Sequence, residues 1–223
     1  MTYDAIGNIL TRGGTTYTWT QGRRLSGVEN GKSIKYLYDH TGARVKKTVD
    51  NTVTEYQWAG DLLLSEKTDG RIIWYCYDSQ ANLISVTIRG ITYFYVRNVQ
   101  GDIIALVDAD GKVVVKYTYD SWGKVVAVTG ELADTVGAQN PFRYKGYYYD
   151  NETGMYYLKS RYYDAEIKRF ICADVGITSI IKDTKGNNLF CYCFNNPLNM
   201  KDMSVNWPKW IRNFGKTVKN TIK

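Results

Sequence analysis

From Thr2 to Val128 the chain runs as short alternating polar and apolar segments, broken by turn signals about every ten residues. Alternation with period two marks strands that bury one face. The motif Tyr-Asp-x-x-Gly occurs at Tyr3-Asp4…Gly7, Tyr38-Asp39…Gly42 and Tyr119-Asp120…Gly123, with variants at Tyr77-Asp78…Ala81 and Asn98…Gly101. Gly22 and Gly60 fill the longer gaps, so the period is near 20 residues. Between these turns lie Gly13-Gly14, Asn30-Gly31, Asp69-Gly70, Arg89-Gly90 and Asp110-Gly111. An Asp that opens a type I turn accepts hydrogen bonds from amides just ahead, and a Gly three residues on takes positive φ at little cost. The Gly-containing dipeptides suit two-residue hairpin loops. The spacing therefore predicts an antiparallel meander with one class of turn on each rim, built from repeated units.

The strands carry aromatics two residues apart: Tyr17/Trp19, Tyr36/Tyr38, Tyr56/Trp58, Tyr75/Tyr77, Tyr93/Tyr95 and Tyr117/Tyr119. Each pair shares a face, and successive pairs line up as an aromatic ribbon on one side of the sheet. The ribbon reads first as structural cladding, with a lane for carbohydrate as the alternative. The segment Asn140–Phe170 departs from this pattern. It sets tyrosines consecutively at Tyr147, Tyr148 and Tyr149, interleaves them with Arg143, Lys145, Lys159, Arg161, Lys168 and Arg169, and lengthens the turn to Asp150-Asn-Glu-Thr-Gly154. It is expected to close the wall.

Composition narrows the partners. The net charge of +7 is concentrated at the end, where Lys209, Arg212, Lys216, Lys219 and Lys223 occur without an acid; the remainder holds 24 basic against 22 acidic residues. A nearly neutral body argues against nucleic acid as a partner. No secretory signal and no apolar run of the ~18 residues needed for a membrane helix is present. Cys76, Cys172, Cys191 and Cys193 lack the spacing of a disulfide framework.

The repeats resemble the YD repeats of the RHS/teneurin-type proteins. Pro141–Asp174 (PFRYKGYYYDNETGMYYLKSRYYDAEIKRFICAD) and Asn188–Asp202 (NLFCYCFNNPLNMKD) resemble the RHS repeat-associated core. The matching residues are Tyr38, Asp39, Gly42, Tyr119, Asp120 and Gly123 in the repeats. In the core they are Arg143, Tyr144, Gly146, Tyr147, Tyr148, Asp150, Gly154, Arg161, Tyr162, Tyr163, Asp164, Arg169, Phe170, Asn195, Asn196 and Pro197. The resemblance implies an all-β fold, with YD hairpins forming a curved or spiral sheet, a partial shell capped by the core. It divides the chain into a repeat region at 2–139, the core at 140–202 and a basic amphipathic tail at 203–223. In bacterial members a variable C-terminal toxin follows the core, so a secreted or cell-surface location and a toxin cargo are implied. Other YD-repeat chains, an upstream shell segment or a second copy are expected against exposed strand edges. No cofactor is expected.

The candidate chemistry is sparse. The resemblance implies an aspartyl autoprotease with Asp174 as the acid, which would share a proton with a second carboxylate. Here Val175 stands where the family has Pro, Asp183 is the only acid in the following loop, and the cleavage motif at Asp202 is degenerate. A turn-forming role for Asp174 is the competing reading. Cys191-x-Cys193 would put two thiols on one face of a Phe190–Phe194 strand, and with Cys172 and His40 could suggest zinc, although structural zinc sites use other spacings. His40, the single histidine, lies within a turn and reads as a surface residue. In the tail Trp207, Trp210, Ile211, Phe214, Val218 and Ile222 recur at helical spacing. That pattern fits a short amphipathic helix, read as a linker or pre-toxin stub, with a membrane surface as the alternative.

Overall fold

The computed structural model describes residues 1–174 and 188–200. The sequence expectations at Val175, Asp183 and Asp202, and the tail helix, lie outside the described residues.

The first hairpins are β1 (Thr2–Tyr3), β2 (Ile9–Arg12), β3 (Thr15–Thr20), β4 (Arg24–Glu29), β5 (Ser33–Tyr38), β6 (Arg44–Val49) and β7 (Thr52–Ala59). They continue through β8 (Leu62–Thr68), β9 (Arg71–Tyr77), β10 (Leu83–Ile88), β11 (Ile91–Arg97), β12 (Ile103–Val107), β13 (Val113–Tyr119) and β14 (Val125–Thr129). All belong to one 14-stranded antiparallel sheet in which each strand pairs with its neighbours in sequence. A second sheet of four strands follows: β15 (Tyr148–Asp150), β16 (Met155–Leu158), β17 (Arg161–Asp164) and β18 (Arg169–Phe170).

The Asp-x-x-Gly turns form as the residue types dictate. Asp39 Oδ1 accepts from the amides of Thr41 (2.8 Å) and Ala43 (3.0 Å), and the Gly42 amide donates to the Asp39 carbonyl (3.1 Å). The Thr41 hydroxyl and these turn amides hold the Asp39 carboxyl below its ordinary value. Asp4, Asp78, Asn98 and Asp120 repeat the geometry along one rim. The Asp110-Gly111 expectation needs correction. Asp108 accepts from the Asp110 and Lys112 amides, and Gly111 N donates to its carbonyl, so the loop is another Asp-x-x-Gly turn placed on the opposite rim. Asp-Gly fits either turn, and the Asp two residues earlier decides which one forms.

The aromatic ribbon faces the core. Tyr17, Tyr36, Tyr56, Tyr75, Tyr93 and Tyr117 are buried among aliphatic residues such as Val28, Ile34, Val86 and Val115. The closing segment covers three of them directly: Tyr36 packs on Tyr162, Tyr56 on Tyr148, and Tyr75 on Phe142, with ring centroids 5.4, 5.7 and 4.9 Å apart. Burial takes Tyr17, Tyr36, Tyr56, Tyr75, Tyr93 and Tyr117 out of reach of a carbohydrate, whereas their partners Trp19, Tyr38, Trp58, Tyr77, Tyr95 and Tyr119 are only partly buried. The short sheet holds a second cluster, built on Tyr144, Tyr147, Tyr156, Tyr163, Phe170 and Tyr192.

The long sheet is curved and open. Its two ends approach one carboxylate: Glu166, between β17 and β18, lies 3.5 Å from Arg12 of β2 and 3.5 Å from Lys124 before β14.

Candidate functional site

The sheet's curvature follows from incomplete ladders. Strands joined across the Gly-dipeptide rim pair only over the half nearest that rim: β4 and β5 pair at Gly27↔Lys35, Val28↔Ile34 and Glu29↔Ser33, leaving Leu25 and Tyr38 without a ladder bond between them. The same pairings stop early at β6–β7 and β8–β9. The second aromatic of each pair bridges the opening. Trp19 donates to the Ile9 carbonyl (2.8 Å), Tyr38 to Leu25 (2.7 Å), Trp58 to Arg44 (2.8 Å), Tyr77 to Leu63 (2.9 Å) and Tyr119 to Ile103 (2.7 Å). A side chain replaces a missing main-chain bond and wedges the strands apart on one rim. The exception is Tyr95, which donates to Asn140 Oδ1 (2.8 Å) and ties the wall to the start of the closing segment.

The amides freed by the same openings are satisfied from that segment. Ile9 N donates to the Ile171 carbonyl (3.2 Å), Ile103 N to the Arg143 carbonyl (3.1 Å) and Arg44 N to the Tyr157 hydroxyl (2.9 Å). Each would otherwise be a main-chain donor with neither ladder nor water, a loss of roughly 1–3 kcal/mol.

At the centre of the interface lies a buried charge cluster. Arg44 Nη1 bonds Asp150 (2.5 Å) and the Tyr162 hydroxyl (3.2 Å), and Lys47 Nζ bonds Asp150 (3.2 Å) and Glu152 (3.0 Å). The guanidinium carbon of Arg44 stands 4.5–5.3 Å from the ring centres of Tyr157, Tyr56, Tyr148 and Tyr36, an aromatic cage that stabilises the buried cation. Burial alone would push the Asp150 carboxyl up, but Arg44 and Lys47 overcome it and hold the carboxyl below its ordinary value. Glu66 differs: burial raises its carboxyl above the ordinary value, although Tyr148 (2.5 Å) and Tyr75 (3.0 Å) donate to it.

Of the core-motif residues, Tyr148, Asp150 and Tyr162 touch this cluster, and the others hold the closing segment together and to the wall. Arg143 bonds Asn151 (2.9 Å) and stacks on Tyr149 and Tyr117. Tyr144 rests against Gly123, where an added Cβ would stand 2.3 Å from the ring. Gly146 takes φ +70°, and Gly154, also at positive φ, closes the long turn by donating to Asp150 (2.9 Å). Tyr162 meets the Tyr38 hydroxyl (3.0 Å), Tyr163 donates to the Trp122 carbonyl (2.8 Å), and Asp164 pairs with Arg12. Tyr147 and Phe170 are buried, with the Tyr192 hydroxyl donating to that of Tyr147 (3.3 Å), and Arg169 stacks on Phe190. Pro197 is buried and its carbonyl accepts from Lys145 Nζ (2.6 Å), whereas Asn195 and Asn196 are exposed.

The Teneurin YD-shell family model matches residues 1–199. The chain belongs to that family. This YD-shell chain is 37 % identical over 223 residues to the tRNA3(Ser)-specific nuclease WapA of Bacillus spizizenii, covering 96 % of itself and 9 % of that protein. It is 38 % identical to the tRNA nuclease WapA of Bacillus subtilis strain 168, again covering 96 % of itself and 9 % of the relative. The chain thus spans about a tenth of the length of these curated relatives. The crystal structure of TcdB2-TccC3 without its hypervariable C-terminal region superposes with a TM-score of 0.74 at 20 % identity, over 92 % of this chain and 11 % of that one. The Photorhabdus luminescens Tc holotoxin pore gives 0.70 at 18 % identity, over 93 % and 11 %. These two likenesses establish the fold.

The remaining candidates are positioned by the YD-shell fold. Asp174 pairs with Arg161 (3.1 Å), its amide donates to the Leu189 carbonyl (2.9 Å), and its carbonyl accepts from Arg23 (3.2 Å). The expected Phe190–Phe194 strand is corrected. Cys191 makes an isolated bridge to Arg169, and Cys193, Phe194 and Asn195 all take positive φ in a tight helical turn, so the two thiols do not share a strand face. Burial pushes the Cys172 thiol up to about 11. Among the described residues no cluster of three or more His, Cys, Asp or Glu side chains is arranged for a metal. His40 is exposed in its turn.

Sequence reasoning missed Arg44, Lys47 and Glu66. The signal was the register: counting back from each turn pairs Lys47 with Tyr36 and Glu66 with Tyr56, which places these charges on the ribbon face.

Proposed function

We propose that this chain is the closing end of a YD-shell that holds a variable cargo. Residues 2–139 supply wall hairpins, 140–202 form the closing module, and 203–223 lead toward the cargo. The observation that carries this reading is the interface itself. The closing segment supplies acceptors for wall amides left by the splayed ladders, and carboxylates for the wall's buried Arg44 and Lys47. A wall so built is completed by its cover, which is what an encapsulating end requires. The open edges at β1 and β14 are the places where further wall strands or another YD-repeat chain would add. The names of the relatives support a nuclease or another toxin as the class of cargo. Export to the cell surface or beyond belongs with that role.

Asp174 is a tie between Arg161 of β17 and Leu189. An intact-mass measurement that finds a product ending near Asp202 would instead assign it to autoproteolysis. The test of the shell role is protease protection. The full chain is co-expressed with an upstream YD-repeat segment from a relative and carries a folded reporter domain after Lys223. The reporter should resist trypsin until the shell is unfolded by denaturant, and the shell chain itself should leave tRNA intact. A reporter digested as fast as the free domain overturns encapsulation, and tRNA cleavage by the chain alone overturns the structural reading.

A further inference from the structure

Between the long sheet and the closing module, at the Asp-x-x-Gly rim, lies a cavity of about 320 Å³. Its walls include Trp58 and Tyr77 from the long sheet and Tyr148 and Tyr157 from the short one, with Arg97 from the end of β11. This volume sits at the small end of the roughly 300–1,000 Å³ typical of small-molecule sites.

Two properties distinguish it from a packing defect. First, the polar tips of its outer aromatics are already engaged: Trp58 donates to the Arg44 carbonyl and Tyr77 to the Leu63 carbonyl. Ring surface remains for a ligand, with Lys159 Nζ already standing 5.7 Å from the centre of the Trp58 ring. Second, its cations are unequally committed. Lys145 Nζ donates to the carbonyls of Pro197 (2.6 Å) and Met200 (2.7 Å), and Lys159 Nζ bonds Asp61 (2.9 Å). Arg97 forms no hydrogen bond or ion pair with any described residue, although it is half-buried. The carboxylate of neighbouring Asp78 acts on it only at a distance, without a hydrogen bond. Asp78 is engaged by the amides of Gln80 and Asn82 and by the Asn82 side chain within its own turn. Partial burial lowers the Arg97 pKa, and the nearby Asp78 carboxylate offsets this only in part. A guanidinium presents a planar fork of donors matched to a carboxylate.

We propose that this cavity binds a small ring-bearing carboxylate, with the carboxylate on Arg97 and the ring against Trp58 and Tyr77. An acidic sugar and an aromatic acid share this chemistry. The inference does not depend on the encapsulating role.

The test is isothermal titration of the purified full chain with glucuronate and with 4-hydroxybenzoate, with glucose, acetate and inorganic phosphate as comparisons. At least one ring acid should bind saturably, and glucose and acetate should each bind at least tenfold more weakly. Arg97→Gln should weaken binding roughly tenfold to a hundredfold, the weight of one charge-assisted pair. Arg97→Lys should recover part of it, and both variants should keep the wild-type unfolding temperature. Binding of glucuronate alone assigns an acidic sugar; binding of the benzoate alone assigns an aromatic acid. The proposal is overturned if neither acid binds, if phosphate or acetate binds as tightly as the ring acids, or if Arg97→Gln leaves binding unchanged. A destabilised Arg97→Gln would show that Arg97 serves the fold, which also overturns it.

Discussion

The interface between wall and closing segment turns on Asp150, and replacing it isolates the energetics of the buried cluster. Asp150→Asn keeps the volume and one carbonyl acceptor but removes the charge that faces both Arg44 and Lys47. The Asp150 side chain is fully buried, as is Arg44, and that of Lys47 is 8 % exposed, so water cannot take over. Only Glu152, at the border of the cluster, still offers Lys47 a carboxylate. Leaving one member of a buried pair uncompensated costs about 3–5 kcal/mol. For a chain of this size each kcal/mol shifts the melting temperature by roughly 2–4 °C, which predicts a fall of about 6–20 °C. Urea unfolding followed by tyrosine and tryptophan fluorescence gives the free energy directly. The pH dependence supplies an internal check. The Asp150 carboxyl is depressed in the folded state, so its contribution is present above the unfolded value near ~3.9 and disappears as pH falls through the folded value. The gap between wild type and Asp150→Asn should therefore be full at pH 7 and shrink below about pH 4. A loss under 1 kcal/mol at pH 7, comparable to that from breaking the exposed Lys112–Glu131 pair, would refute the role assigned to the cluster.

Glu66 should behave in the opposite sense. Its carboxyl is raised on folding, so wild type should gain stability as pH falls from 7 toward the unfolded value near ~4.3, and Glu66→Gln should flatten that slope in urea melts. Gly123→Ala should be far more damaging than Gly111→Ala. Both glycines have positive φ, but a Cβ at Gly123 would collide with the Tyr144 ring while one at Gly111 meets open space. The Gly111 change should cost about 1–2 kcal/mol from backbone strain, and thermal melts should separate the two clearly. Tyr38→Phe deletes the hydroxyl that bridges Leu25 and Tyr162, and should cost about 1–3 kcal/mol. Hydrogen exchange at the β4–β5 opening should rise with it.

Much of the fold was legible because its determinants are local. Asp39 and Gly42 specify their turn within five residues, and the Tyr36/Tyr38 spacing puts both rings on one face whatever lies opposite. The misreadings came where a local pattern fits two geometries. Asp110-Gly111 suits a two-residue loop as well as the end of the turn opened by Asp108. Cys191–Phe194 alternates like a strand, yet it follows contacts with Arg169 and Tyr147 made far away in sequence. Arg44, Lys47 and Glu66 were hidden because charges on strands ordinarily mark the solvent face. Only the pairing of each with a ribbon tyrosine reverses that assignment, and their partners lie some hundred residues downstream in Asp150 and Tyr148. Arg97 is missed for a related reason, since its cavity exists only once β11 and the closing module are brought together.

The meeting of both ends of the long sheet at Glu166 bears on how the molecule is made. Every pairing in that sheet is between sequence neighbours, so hairpins can form one after another as the chain leaves the ribosome. Their bend cannot be set then, because the residues that fix it, from Asn140 to Ile171, are synthesised after all fourteen wall strands. Until those residues emerge, the nascent wall is a ribbon of correct hairpins without a defined radius, and its tyrosine face is open to water and to other chains. The closing segment thus acts as a keystone in time as well as in space: an arch assembled stone by stone takes its shape only when the final piece drops in.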